Sequence, residues 1–235
     1  MTTPTTLLRA TLVLALLSGA ACKKEEAASG SKEPAREPAA GTQDPAAKQA
    51  PPTTAPVVGK PAPDFTLETL DGKKVSLASY KGKPVVLEWF NPGCPFVVKS
   101  HTKGSLVETA KKHTDAGVVW LAINSGAPGK QGHDVADNEA AVKAWKMAHP
   151  VLRDVTGETG KAYGATNTPN MFVIDPSGTV VYAGAIDNSP DGEGGAPTGG
   201  TLVNYVDAAL GDLAAGRPVA TPVTKPYGCG VKYAS

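Results

Sequence analysis

"VVLEWFNPGCPF", residues 85–96, decides the fold. It opens as a near-continuous apolar run, the pattern of a strand buried on both faces. It closes on Cys94, set between Pro92 and Pro95. The following "CPFVVKSHTKGSLVETAKKHTDAG" (94–117) reads as a helix weakened in its middle by Gly104. Pro95 suits the first helical turn. Cys94 then falls at the helix N-cap, where unpaired backbone N–H groups and the positive end of the dipole favour an anion. A free thiol of pKa about 8.5 is only about 3% thiolate at neutral pH. Lowering that pKa by roughly two would make it mostly thiolate, which takes about 2.7 kcal/mol of differential interaction. Lys99, His101 and Lys103 add positive potential on the same helix. The thiolate is the form that attacks disulfides and peroxides. Cys94 is therefore expected to be exposed and readily ionised.

Working outward, "APDFTLETLDGKKVSLASYKGKP" (62–84) reads as a hairpin turning at Asp71-Gly72. "GVVWLAIN" (117–124) is a second buried strand, and "DNEAAVKAWKMAH" (137–149) is an amphipathic helix stopped by Pro150. "TPNMFVID" (168–175) and "TVVYAGAID" (179–187) are strands joined at Pro176-Ser177-Gly178. "TLVNYVDAALGDLAAG" (201–216) is a closing helix, with Leu202, Tyr205, Val206, Ala209 and Leu213 on one face. A tail from Arg217 to Ser235 carries Cys229. Strands alternating with helices predict an α/β fold with a mostly parallel central sheet, to which the last hairpin adds antiparallel edges.

The 235 residues allow one ordinary domain plus accessories, and 41% hydrophobic residues suffice for a packed core. A net charge of +1 argues against a nucleic-acid surface. The three cysteines, Cys22, Cys94 and Cys229, form no C-x-x-C pair and no zinc pattern. His101 lies two helical turns from Cys94, too few ligands for a metal site. His113, His133 and His149 read as surface or loop residues. "GAPGKQG" (126–132) lacks the spacing of a phosphate loop. No cofactor and no metal are expected.

Residues 1–21 read as an export signal: Arg9, a short apolar core "TLVLALL" (11–17), then small residues. "SGAAC" (18–22) resembles a bacterial lipobox, with Gly19 where leucine is usual, and marks Cys22 for lipidation. An ordinary cleaved signal is the alternative. From 23 to 56 the chain is Ala-, Pro- and charge-rich, with five basic residues against five acidic. Such a segment buries too little surface to order itself. It reads as a tether spanning roughly 30–35 Å, ahead of one folded domain over 57–235.

"VVLEWFNPGCPF" is similar to the strand–cysteine–helix segment of the thioredoxin superfamily, and "TNTPNMFVID" to its threonine–cis-proline loop. "KPAPDFTLETLDGKKVSL" resembles the N-terminal extension of the alkyl hydroperoxide reductase/thiol-specific antioxidant (redoxin) branch. "CPFV" together with "GCGVKY" (228–233) resembles a peroxiredoxin-like subgroup of it. The resemblance implies a thioredoxin-like three-layer fold with a mixed central sheet, an N-terminal hairpin extension and a C-terminal tail. It implies Cys94 as nucleophile, with Val97 where a resolving cysteine would stand. Thr168 and Pro169 would form the substrate-facing loop, with Pro95 and Trp89 as further substrate-binding positions. It places Glu88 where thioredoxins carry a buried acid, a proton relay to the sulfur with its pKa raised by burial. An outward-facing strand residue is the alternative.

A peroxiredoxin carries P-x-x-x-T-x-x-C, and here Leu87 and Asn91 hold the proline and threonine places. Asn91 is expected to donate a hydrogen bond in the threonine's stead, and Arg153 is the candidate for a missing arginine. The tail is expected to fold back and bring Cys229 near Cys94. A redox couple, a permanent staple and a merely packed thiol remain open for that pair. The implied activity is thiol–disulfide exchange or peroxide reduction by an envelope lipoprotein facing the periplasm. Its partners would be a thiol or disulfide protein, a small-molecule thiol or a peroxide, and a membrane through the lipid, with no nucleic acid. The alternative is a non-catalytic binding module on the same fold. The loop "NSPDGEGGAPTGG" (188–200) reads as a connector able to border the site.

Overall fold

The computed structural model describes residues 57–234. The signal segment, Cys22 and the tether lie outside the described residues.

The apolar run becomes the middle of a mixed seven-stranded sheet. The hairpin strands are β1 (Thr66–Thr69) and β2 (Lys74–Ser76), antiparallel, with Gly72 in the left-handed region at the turn. The run itself is β3 (Val85–Trp89), buried at every residue. It pairs parallel with β4 (Val119–Asn124), Val85 opposite Val119 and Trp89 opposite Ile123. β4 pairs parallel with β5 (Val151–Arg153). A two-residue strand, β6 (Asn167–Thr168), leads into β7 (Asn170–Ile174), antiparallel to β3, and β8 (Val180–Gly184) closes that edge. The spatial order is β2-β1-β5-β4-β3-β7-β8. The expected mixed sheet and hairpin extension are present. The hairpin joins through β5, Glu68 opposite Arg153. β5 is too short to show a pattern in the sequence.

Successive residues of β3 alternate between two layers. Leu87 and Trp89 pack with Leu121, Ile123, Phe172 and Tyr163. Val86 packs on the other face with Trp120, Met171, Val173 and Tyr182. That second layer is covered by α2 (Leu106–Asp115) through Leu106 and Ala110. It is covered as well by α5 (Tyr205–Ala214) through Val206, Ala209 and Leu210. Tyr163, in the first layer, comes from α4 (Glu158–Tyr163), a one-and-a-half-turn helix absent from the sequence reading.

The helices differ from expectation at their ends. Residues 94–117 are not one helix: α1 (Pro95–Thr102) stops before α2 begins. The break falls at Gly104, where a Cβ would collide with the Gly192 carbonyl oxygen of the 188–200 loop. The helix expected over 137–149 is α3 (Val135–Ala144), ended by Trp145 and by Lys146 in the left-handed region. The last helix starts at 205 because Asn204 caps it, its side chain accepting from the Asp207 N–H at 3.0 Å. Leu202 therefore lies outside the helix and is exposed.

Candidate active site

The end of β3 is shaped by hydrogen bonds that leave Cys94 at a helix start. The Phe90 N–H continues the ladder to the Ile123 carbonyl, 2.8 Å. The Asn91 side-chain oxygen accepts from the Gly93 N–H at 2.9 Å, and its backbone oxygen accepts from the Cys94 N–H at 3.0 Å. Gln131 pins the same turn, donating to the Gly93 carbonyl at 2.9 Å and accepting from Asn91 Nδ2 at 3.3 Å through its own carbonyl. Cys94 is the N-cap of α1, extended at φ −81° and ψ 120°, and Pro95 is the first helical residue.

Two segments face the sulfur. The Thr168–Pro169 bond is cis, and Cys94 Sγ donates to the Thr168 carbonyl oxygen at 3.1 Å. The tail then lays β9 (Cys229–Gly230) antiparallel on β6, Cys229 opposite Thr168 and Gly230 opposite Asn167. This register brings Cys229 beside Cys94, against the same apolar cluster. Both thiols are free. Gly228, at φ +103°, is needed here, since a Cβ would overlap the Thr168 carbonyl oxygen. The expectation of an exposed Cys94 is corrected: its exposure is 0%. Cys94 packs with Phe90, Val97, Ala122 and Val151, and the tail's Cys229 lies against the same cluster.

Burial alone would raise the Cys94 pKa. The polar groups around the sulfur, those of Cys229, Thr168 and the Val97 backbone, outweigh it, and the net movement is down. Burial pushes Cys229 up to about 11, helped by its hydrogen bond to Cys94 and by the charge there. The two thiols thus move apart, Cys94 down and Cys229 up. The buried Thr168 hydroxyl makes no hydrogen bond. When the thiol ionises, its bond to the Thr168 carbonyl is lost and that hydroxyl becomes a donor to the thiolate.

The other expected residues are placed as follows. Lys99 and Lys103 pair with Glu193 of the 188–200 loop, at 3.2 and 3.9 Å. Asn91 has both ends of its side chain bonded to loop backbone. Arg153 lies at the end of β5 in register with Glu68 and Asn124. Trp89 is corrected: it is fully buried in the first layer, its indole N–H bonded to Ser125 Oγ at 3.0 Å, and offers no surface to a substrate.

Glu88 is buried and not outward-facing. It accepts from His101 Nε2 at 2.7 Å and from Trp120 Nε1 at 3.1 Å, with His149 Nε2 3.9 Å away. The expected rise of its pKa is corrected. Burial raises it, but the charge and hydrogen bond of His101, the charge of His149 and the Trp120 N–H bring the net below the ordinary carboxyl value. His149, expected at the surface, is buried, and burial lowers its pKa to about 4. Its Nε2 has no hydrogen-bond partner. His101 turns toward Glu88 and stacks on Trp145 at 5.0 Å.

A buried parallel strand ending in a helix-capping cysteine, faced by a cis-proline loop, defines a thioredoxin-fold thiol protein. The chain belongs to the AhpC/TSA family, matching it over residues 58–183. It is 32% identical over 124 residues to the thiol-disulfide oxidoreductase ResA of Bacillus thuringiensis subsp. konkukian, covering 53% of this chain and 67% of that protein. It is 30% identical over 137 residues to the chloroplastic peroxiredoxin Q of Triticum aestivum, covering 53% of this chain and 57% of that protein. Two solved structures are similar over a longer stretch. One is a hypothetical protein, SMc02350, of Sinorhizobium meliloti (TM-score 0.65, 29% identity, 76% of this chain and 95% of that one). The other is an uncharacterized conserved protein of Geobacillus kaustophilus (TM-score 0.64, 31% identity, 78% and 95%). The family match ends before the tail that carries Cys229.

Proposed function

We propose that this chain is a thiol-dependent oxidoreductase in which Cys94 is the nucleophile and Cys229 the resolving thiol. The observation that carries this is the register of β9 on β6, which puts Cys229 beside Cys94. In disulfide exchange the Cys94 thiolate attacks one sulfur of a substrate disulfide. A Cys94–substrate bond forms, the substrate S–S bond breaks, and the far sulfur leaves as a thiolate. Cys229, deprotonated to that leaving thiolate or to solvent, attacks Cys94 and expels the second substrate thiolate. The substrate gains two electrons and the Cys94–Cys229 disulfide holds the loss. With a peroxide, Cys94 takes one oxygen as sulfenic acid and an alcohol or water leaves; condensation with the Cys229 thiol then releases water. Two equivalents of an external thiol, leaving as their own disulfide, restore both cysteines.

Disulfide exchange suits the geometry better than peroxide reduction. The groups near the sulfur are the Cys229 thiol, Thr168 and the start of α1, while Asn91 is committed to its loop. Thr168, Pro169 and Pro95 shape the substrate side. Glu88 acts as a positioning residue, holding the far end of α1 through His101. The reading extends to an envelope location: a signal over 1–21, a lipid on Cys22 holding the chain to a membrane, and a tether to residue 56 ahead of the domain. Among the described residues no helix is long and apolar enough to cross a membrane.

The test is thiol-trapping mass spectrometry on the mature protein before and after a pulse of cystine-containing peptide, and separately of peroxide. A Cys94–Cys229 disulfide forming with loss of substrate disulfide is expected. A Cys94→Ser chain that consumes substrate at the full rate overturns the reading. The second reading, a non-catalytic binding module, is favoured by the complete cover over Cys94. It predicts that neither cysteine changes state after either pulse.

A further inference from the structure

β9 is only two residues long, and it makes the contact an added strand makes on a sheet edge. Most of its fastening is on either side of Cys229. Upstream, the Tyr227 hydroxyl donates to Asp187 Oδ1 at 2.8 Å and its ring meets Phe96, centroids 6.2 Å apart. Downstream, the Val231 N–H donates to the Thr166 carbonyl at 3.0 Å, and the Lys232 carbonyl accepts from the Ala127 N–H at 2.9 Å. The Tyr233 hydroxyl donates to the Ala165 carbonyl at 2.8 Å. The Tyr233 ring lies on Gly157 and Gly160, where any Cβ would collide with it. Between these anchors the chain passes so close to the Thr168 carbonyl that position 228 must be glycine. At Gly230 the nearest atom to an added Cβ is 4.0 Å away, so a side chain fits there.

We propose that the tail segment 227–233 is a tethered stand-in for the protein's substrate, an extended cysteine-bearing polypeptide segment with glycine immediately before the cysteine. The substrate takes the same edge of β6 by displacing the tail, which is thus an autoinhibitory contact as well as the carrier of the resolving thiol. The proposal rests on the oxidoreductase reading for its chemistry but not for its binding. The backbone pairs of Asn167 and Thr168 are made by any strand, so the edge accepts varied sequences. The Gly–Cys step is the exception: the Thr168 carbonyl oxygen occupies the place of a Cβ before the cysteine, and the +103° φ is one that only glycine adopts readily. With the tail out, Cys94 is uncovered and attacks the bound cystine as written above. With the tail back, Cys229 completes the cycle by expelling the bound segment from both the sulfur and the edge.

The test uses peptides that bind but cannot exchange. Fluorescent KPYGSGVKY and KPYASGVKY, serine replacing the cysteine, are titrated by anisotropy against the full chain and its Gly228→Ala variant. Gly228→Ala is expected to unseat the chain's own tail, raising Cys94 alkylation by iodoacetamide at least tenfold. It is also expected to bind the Gly-Ser peptide at least tenfold more tightly than the wild type does, and at least tenfold more tightly than it binds the Ala-Ser peptide. Unchanged alkylation, no gain in binding, or equal binding of the two peptides overturns the proposal. Tyr233→Ala provides the second route to an unseated tail should Gly228→Ala fail to fold. There too, absence of a gain in Gly-Ser peptide binding overturns it. Because no redox step occurs, peptide binding with no Cys94-dependent exchange would sink the oxidoreductase reading alone.

Discussion

The two ends of α1 hold two buried polar groups, and they are buried in different ways. At its start, Cys94 lies under a strip of tail that pairs with a two-residue strand. In its last turn, His101 binds Glu88 beneath Trp145, Phe90 and Trp120. The first cover is a chain terminus with anchors outside the site; the second is three rings seated in packed layers. Opening the first breaks a few hydrogen bonds, each worth about 1 kcal/mol net, and frees the partly buried Tyr227 and Val231. Opening the second exposes side chains worth about 1.5–3 kcal/mol each when buried. A group under a removable cover is available for chemistry, whereas a group sealed in the core holds the fold. On the proposed function, the same helix has a reactive end and a structural end.

The comparison breaks most decisively at the cysteine. Cys94→Ser is expected to drop disulfide reduction to the uncatalysed background with little change in the unfolding midpoint. Cys229→Ser should instead trap a Cys94–substrate mixed disulfide, visible as one added mass per chain. At the other end the order reverses. Glu88→Ala leaves His101 and the Trp120 N–H without their acceptor and should cost about 3–5 kcal/mol by urea unfolding, as for other broken buried pairs. Loss of turnover in Glu88→Ala under conditions where it remains folded would show that the structural end also takes part in the chemistry.

The ends also separate with pH. Glu88 has a lowered pKa in the fold, so the stability it adds is present above the ordinary carboxyl range and is lost as pH falls through the lowered value. His149 falls from 6.5 to about 4, so below pH 6.5 the unfolded chain binds a proton the fold refuses. Stability should decline as pH drops from 6.5 to 4, by about 3 kcal/mol from this residue. Replacing it, as His149→Asn, should flatten that slope in urea midpoints measured across the range. At the thiol end Cys229 moves the other way, its pKa raised from 9.0 to about 11. The seated tail is favoured below 9 and loses that preference as pH rises through 11. Cys94 alkylation should therefore climb in base more steeply than its own ionisation explains, and Cys229→Ser should remove the excess.

What the sequence disclosed follows the same division. β3, β4 and the cis-proline loop are legible because their pattern is local: unbroken apolar residues, a threonine before a proline, a cysteine before a proline. The break at Gly104 is not, because its cause is the Gly192 carbonyl, far along the chain. β5 and α4 are three and six residues long, too short for a period to register. By resemblance Trp89 is a surface for substrate, yet the alternation within β3 places it with Leu87 in the first layer. Burial was read as raising Glu88, yet the sign is set by His101, His149 and Trp120, whose convergence only the fold shows. The glycines of the tail site, 157, 160 and 228, each make room for one particular neighbour, Tyr233 or Thr168. A glycine in a sequence does not name the atom it makes room for.

The smallest effect gives the sharpest contrast. Tyr233 and Tyr163 each donate one hydroxyl hydrogen bond to a backbone carbonyl at 2.8 Å, the first from the tail to Ala165, the second from the core to Pro63. Phenylalanine at either place removes that one bond, about 1 kcal/mol net. In Tyr233→Phe the loss falls on the seated tail alone, and 1 kcal/mol is about a fivefold change in an equilibrium constant. Cys94 alkylation should rise about fivefold while the urea midpoint hardly moves. In Tyr163→Phe the loss falls on global stability, so the midpoint should drop and alkylation under native conditions should stay as it is. Equal alkylation in the two variants would mean that the tail opens only with the whole domain, and the distinction between a removable cover and a packed one would not hold.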